Sequence, residues 1–127
     1  MQERDLFEFL KLNYYSDLVM AKNPMSKWDC YSVATAHRIE LKSRKTHYDT
    51  LLIEKIKYES LVNKCHENLD LPMYICSTPK GVYRFNLYLF KNLQWETQWH
   101  NKTTEFSNRN KIPKEVAMLP VIDAEIL

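Results

Sequence analysis

Glycine is almost absent: Gly81 is the one glycine in 127 residues. Loops that cradle a nucleotide phosphate need several glycines, because only a residue without a Cβ lets the backbone come close to the phosphate. A P-loop and a dinucleotide-binding turn are therefore excluded. Cysteine is scarce as well. Cys30, Cys65 and Cys76 are odd in number and form no Cys-x-x-Cys pair, which points to reduced structural thiols in a cytoplasmic protein. Together with His37, His47, His66 and His100 they show no zinc-finger spacing. A charge excess is missing too. Eighteen Lys and Arg against sixteen Asp and Glu leave a net charge of +2, so any field that attracts nucleic acid must be local. No apolar run reaches the length of a membrane span. The charged start Met1-Gln2-Glu3-Arg4-Asp5 lacks the apolar core of a signal peptide. Finally, no nucleophile-elbow pattern supports a Ser/His/Asp hydrolase.

What is present suffices for one core in a single domain, expected to span residues 1–127, with 45% hydrophobic residues, three Trp, eight Tyr and five Phe. The most informative stretch is Arg38-Ile39-Glu40-Leu41-Lys42-Ser43-Arg44. In an extended strand successive side chains point to opposite faces. Arg38, Glu40, Lys42 and Arg44 then share one face, and Ile39 and Leu41 the other. A solvated strand shows the same alternation. The added signal is Asp29, eleven residues before Glu40. A hard divalent cation prefers carboxylate oxygens, backbone carbonyls and water. Asp29 and Glu40 offer two carboxylates and Leu41 a carbonyl. Lys42, beside Glu40, is placed to hold or polarise a water or a phosphate oxygen.

Residues 3–22 read as a helix with Phe7, Leu10, Tyr14, Leu18 and Ala21 on its buried face, ended by Asn23-Pro24. Strand formers fill 28–33, a turn falls at 34–36, and the Glu-x-Lys strand covers 37–43. Arg44 and Lys45 make a basic connector that either meets phosphates or is solvated. Residues 49–66 read as a second helix, apolar nearly all round in its first half, with Glu54 inside the apolar sector. Burial there requires a partner such as Lys57, Lys42 or a neighbouring tyrosine. Thr78-Pro79-Lys80-Gly81 marks a hairpin between two further strands, the first of them central in the sheet. Beyond residue 91, Trp95, Trp99 and His100 stand among Lys102, Arg109, Lys111 and Lys114. They form either an ordered flap over the core, the preferred reading, or a surface that stacks bases and holds phosphates. Residues 114–119 read as a short helix closed by Pro120. The apolar residues 121–127 pack on the domain, extend the sheet or dock on a partner.

An Asp followed by Glu-x-Lys, set between two helices and followed by a strand pair, resembles the PD-(D/E)XK nuclease-like superfamily, which includes Holliday-junction resolvases and many restriction and phage nucleases. The likeness covers roughly residues 1–90, leaving 91–127 as a C-terminal extension. It departs from the usual signature in that Asp29 follows Trp28 rather than proline, with Pro24 several residues earlier. The resemblance implies an α+β fold: a central mixed β-sheet of about four strands flanked by helices. It implies hydrolysis of nucleic-acid phosphodiesters, DNA before RNA, with Mg2+ or Mn2+. The catalytic set would be Asp29, Glu40, Lys42 and Lys57, and the metal ligands Asp29, Glu40 and Leu41. Glu54 and Tyr58 would support them, as would Glu8, since some members bring a glutamate from the first helix. A solvated role at the helix start competes for Glu3 and Glu8. Arg44, Lys45, Lys102, Arg109 and Lys111 would touch nucleic acid, and a homodimer stays open. The rival reading is a non-catalytic module of the same fold, of phage type, that binds nucleic acid or assembles with protein.

Overall fold

The computed structural model describes residues 1–26, 28–101 and 110–127. The chain opens with helix α1 (Glu3–Asn13), which buries Leu6, Phe7 and Leu10 at helical spacing. The Asp5 carboxylate accepts the Gln2 amide at 2.8 Å and caps its start. The helix ends at Asn13, not at residue 22. The amides of Tyr14 and Tyr15 both donate to the Leu10 carbonyl, at 2.9 and 2.8 Å, and this closure turns Tyr15 into the core and leaves Tyr14 exposed. The chain then runs on as the short strand β1 (Val19–Met20).

Next come β2 (Cys30–Ser32) and β3 (His37–Ser43). The turn between them has no glycine, and Ala36 takes the left-handed conformation, φ 58°. Asp17 holds this turn by accepting the Ser32 hydroxyl at 2.7 Å and the Ala34 amide at 2.8 Å. After β3 follow β4 (Thr50–Glu54), α2 (Lys55–Asn68), β5 (Leu71–Thr78) and β6 (Gly81–Asn86). The chain ends with β7 (Glu96–Asn101), β8 (Lys111–Pro120) and β9 (Glu125–Ile126).

A six-stranded mixed sheet has the order β1-β2-β3-β5-β6-β9, with β3 parallel to β5 and the other pairs antiparallel. The expected α+β architecture with a central mixed sheet is present, with more strands than expected. The Thr78–Gly81 hairpin and the central, buried β5 are as the sequence predicts, and β9 shows residues 125–126 extending the sheet.

A second, three-stranded sheet has the order β4-β8-β7, and it accounts for the largest corrections. Residues 50–54 are strand, not the first half of a helix. The run Thr50-Leu51-Leu52-Ile53-Glu54 buries Leu51 and Ile53 and turns Leu52 and Glu54 the other way. What reads as a helix apolar all round is a period-two strand. Its partner is β8, more than fifty residues downstream, with Ile53 opposite Ala117. Residues 114–119 likewise belong to β8 rather than to a helix. Beyond residue 91 the described residues form a pair of strands, β7 and β8, and β8 packs Ala117 and Leu119 into the core.

Two apolar clusters lie on the two faces of the main sheet. On one, α1 packs on Ile39, Leu41, Met73 and Ile75. On the other, α2 and the three-stranded sheet bring Leu61, Cys65, Leu51, Ile53, Ala117 and Leu119 against Tyr74, Cys76 and Phe85. Among the described residues no helix is long and apolar enough to cross a membrane.

Ile53→Ala and Leu119→Ala are each expected to cost about 2–5 kcal/mol of stability, as buried large-to-small changes do. Leu12→Ala, at a side chain 85% exposed, should change it by less than about 0.5 kcal/mol. Urea unfolding of the three variants checks this, and a silent Leu119→Ala would show that β8 does not belong to the core.

Candidate active site

The strand β3 builds the site. Ile39 and Leu41 point into the α1 cluster, so the alternation turns Glu40 and Lys42 to the opposite face, at the mouth between the two sheets. A cleft of about 410 Å³ opens there, lined by Asp29, Glu40, Leu41 and Lys42 and, from the second sheet, by Glu54, His100 and Lys114.

Asp29 is held at the end of β2 by two bonds. Its amide donates to the Ile39 carbonyl at 2.9 Å, and its carboxylate accepts the Leu41 amide at 2.8 Å. A strand residue directs its N–H and C=O to the same side. The Leu41 carbonyl therefore points to the edge that carries Asp29. Glu40 is 9% exposed and lies 3.1 Å from the Lys57 ammonium. Burial, together with the facing Asp29 carboxylate, pushes the Glu40 carboxyl up to about 7 and outweighs Lys57. Burial alone would lower Lys57, yet Glu40 leaves it raised. For the lysine the pair with Glu40, helped by Asp29 and Glu54, outweighs burial, while for the carboxylate burial and Asp29 outweigh the lysine. Lys42 is lowered by burial and then by Arg44, against the partial support of Glu3 and Glu54.

The residues fit a hard divalent cation. The donors at the edge of β3 are all oxygens, and the Glu40 carboxylate is buried without enough positive charge around it. Among the described residues no three His, Cys, Asp or Glu side chains form a metal cage. Two carboxylates, one carbonyl and water are a donor set suited to Mg2+, which keeps several waters and one or two carboxylates.

The other expected site residues divide. Arg44 and Glu54 line the cleft with Lys57. Glu54 is half-buried and paired, as its position demands, but its partner is Lys114 at 2.8 Å rather than Lys57, Lys42 or a tyrosine. It ends β4, so its charge sits at a strand edge and not in an apolar helix face. Arg44 donates to the Leu52 carbonyl at 3.0 Å. Tyr58 points away, donating to the Phe90 carbonyl at 2.9 Å and packing edge-on against Trp95. Glu8 is exposed on α1 outside the cleft lining, and the first helix contributes Glu3 instead. Lys45 and Lys111 are exposed and outside the lining. Lys102 and Arg109 lie outside the described residues. His100, Asn101 and Lys114 reach the cleft through strand pairing alone, and no local motif marks them.

The order of strands, with the Asp strand and the Glu-x-Lys strand joined to a parallel partner across a helix, is the PD-(D/E)XK nuclease-like fold. A solved structure of this fold that the chain resembles is Hjc of Archaeoglobus fulgidus, a Holliday junction resolvase from an archaeal hyperthermophile. The two superpose with a TM-score of 0.55 at 18% sequence identity, over 91% of this chain and 87% of that one. No family model matches the sequence, and no curated protein matches it significantly.

The Glu40 shift gives a sign for stability. Its folded value, about 7, lies above the ordinary 4.5. The stability it contributes is thus full below pH 4.5 and is lost as pH rises through 7, by an amount on the order of 3 kcal/mol. Glu40→Gln should flatten this fall and leave the metal-free protein more stable than wild type at pH 8. Added Mg2+ should raise the melting temperature of the wild type at pH 8 and leave that of Glu40→Gln unmoved. Calorimetric melts across pH 4–8 test both, and a variant less stable than wild type at pH 8 would refute the unfavourable burial.

Proposed function

We propose that the chain is a divalent-metal-dependent nuclease that hydrolyses phosphodiester bonds in DNA. The observation that carries this reading is the convergence of Asp29, Glu40 and Lys42 on one cleft, on a fold shared with a Holliday junction resolvase. Asp29, Glu40 and the Leu41 carbonyl would hold Mg2+ or Mn2+. The bound ion would supply positive charge that acidifies a water and stabilises the charge on phosphorus oxygens. Lys42 lies on the Glu40 side of β3 and is destabilised as a cation by burial. There it orients the attacking water or holds a non-bridging phosphate oxygen. Lys57 steadies the Glu40 carboxylate, and Arg44 and Lys114 add positive charge along the cleft for the strand that enters it. Glu54 keeps Lys114 in place. Glu3, from α1, faces Lys42 and offsets part of its burial.

Duplex, single-stranded, flapped and four-way-junction DNA should be tried with Mg2+, Mn2+ and Ca2+. At least one form is expected to be cut with Mg2+ or Mn2+. Ca2+ should bind yet support little cleavage, because its looser coordination positions the water less well. Asp29→Asn and Glu40→Gln should abolish cleavage with the fold intact. Lys42→Ala should lose roughly 10²-fold or more in rate and keep its calorimetric Mg2+ binding, since lysine is not a ligand here. Lys111→Ala should weaken DNA binding and reduce the salt slope by about one counterion. No cut in any form with either ion, and no divalent binding that depends on Glu40, would leave a nucleic-acid-binding or assembly module in place of an enzyme.

A further inference from the structure

Apart from the buried Tyr74, whose hydroxyl donates to the Leu52 carbonyl, the described residues of the cleft include one ionisable group that the scheme above does not use. His100 sits near the end of β7 and enters the cleft from the three-stranded sheet. Glu96, Gln98 and His100 alternate along one face of that strand and are joined in a row. The Gln98 amide nitrogen donates to the Glu96 carboxylate at 2.6 Å. The Gln98 oxygen meets His100 Nε2 at 2.8 Å.

This row fixes the histidine by elimination. A carboxylate only accepts hydrogen bonds, so Glu96 sets the amide with its nitrogen toward itself. The amide oxygen left facing His100 also only accepts, so Nε2 must carry a hydrogen. Nδ1 is the nitrogen left to exchange a proton with something in the cleft. The other charged groups there already have tasks. Lys114 pairs with Glu54 at 2.8 Å, Lys57 with Glu40 at 3.1 Å, and Arg44 donates to the Leu52 carbonyl at 3.0 Å. Asp29 and Glu40 are the proposed metal ligands, and Lys42, facing Glu3, is the water or phosphate contact.

Resting on the nuclease reading, we infer that His100 is the general acid that protonates the leaving oxygen of the cleaved phosphodiester. The water oxygen forms its bond to phosphorus as the bond from phosphorus to the leaving oxygen breaks. The leaving oxygen keeps that electron pair and takes the Nδ1 proton of the imidazolium. One water proton passes to solvent, and solvent returns a proton to the imidazole. Histidine suits this role because it exchanges a proton near neutral pH. The Glu96–Gln98 row is a positioning device: it holds the ring so that Nδ1, not Nε2, faces the substrate.

The test uses two DNA substrates, one with the natural leaving oxygen and one with sulfur in its place, because a thiolate departs without a proton. His100→Ala should slow cleavage of the oxygen substrate by roughly 10²-fold or more and cut the sulfur substrate at close to the wild-type rate. Equal slowing on both, or no slowing on either, overturns the assignment while the wild-type activity and its loss in Asp29→Asn keep the nuclease reading standing. A wild type that cuts neither substrate removes the nuclease reading and this inference with it. Long-range 15N–1H NMR on the metal-free protein gives a readout apart from activity. Neutral His100 should be the Nε2–H tautomer, and Gln98→Leu should lose that preference. An Nδ1–H tautomer in the wild type would overturn the proposed orientation.

Discussion

Two carboxylates, on Asp29 and Glu40, face each other at the edge of β3, where burial denies Glu40 the water it needs. Like charges at short range in a poorly hydrated site repel strongly, and Lys57, more than half exposed, does not cancel the cost. The backbone prevents them from separating. Asp29 is bonded to Ile39 and Leu41, one residue to either side of Glu40. Moving it away means breaking the register that pairs Cys30 with Ile39. The arrangement is relieved by a proton or by a cation. At pH below about 7 Glu40 takes the proton, and above it the same oxygens are available to a metal. The chemistry proposed for the cleft and the instability expected of the metal-free protein are two consequences of one contact.

The second wall of the cleft depends on a different constraint. After β3 the chain leaves the main sheet at once and enters the smaller one as β4. Tyr74, in the main sheet, donates to the Leu52 carbonyl at 2.8 Å, and Arg44 donates to the same oxygen. These bonds tie β4 to the main sheet beside the carboxylates. Because β8 pairs with β4 and β7 with β8, that anchorage also sets where Lys114 and His100 lie. Glu54, at the end of β4, reaches Lys114 across the pairing. The hairpin is thus joined to the site by both backbone and charge, and the apolar residues Val116, Ala117 and Leu119 keep it fixed.

The part of the site carried by local pattern was legible in the sequence. Period-two alternation placed Glu40 and Lys42 together and turned Ile39 and Leu41 into the core, and the short 34–36 turn brought Asp29 back beside them. Pro79 and Gly81 marked the one hairpin with strong turn chemistry. What the sequence hid is what long-range pairing decides. Thr50 to Glu54 is rich in residues that suit either a buried helix or a strand, and only β8, far along the chain, selects the strand. Glu54 was expected in the right kind of place, half-buried and paired, but its partner came from β8. Glu3 rather than Glu8 reached the cleft because α1 docks with Leu6, Phe7 and Leu10 inward, which leaves its first turn at the mouth. His100 carried no motif, since its meaning comes from Gln98 and Glu96 on the same strand face.

The charges around the cleft bear on how a polyanion would be received. Along α2 and β8 the lysines are answered by glutamates: Lys55 by Glu59 and Glu115, Lys64 by Glu67, Lys114 by Glu54. The more exposed of these, the Lys55 and Lys64 pairs, contribute little each, about 0–1 kcal/mol, so a phosphate can replace a glutamate there at small cost, whereas the Lys114–Glu54 pair is half-buried. The same pairing cancels much of the long-range field, in keeping with a net charge of +2. Steering at a distance is then weak, and attraction is confined to groups that a strand meets on contact. In the proposed scheme the selection of a cleavage point would fall to the few groups inside the cleft, two carboxylates that would hold a cation and the lysine and histidine that would act on the phosphate.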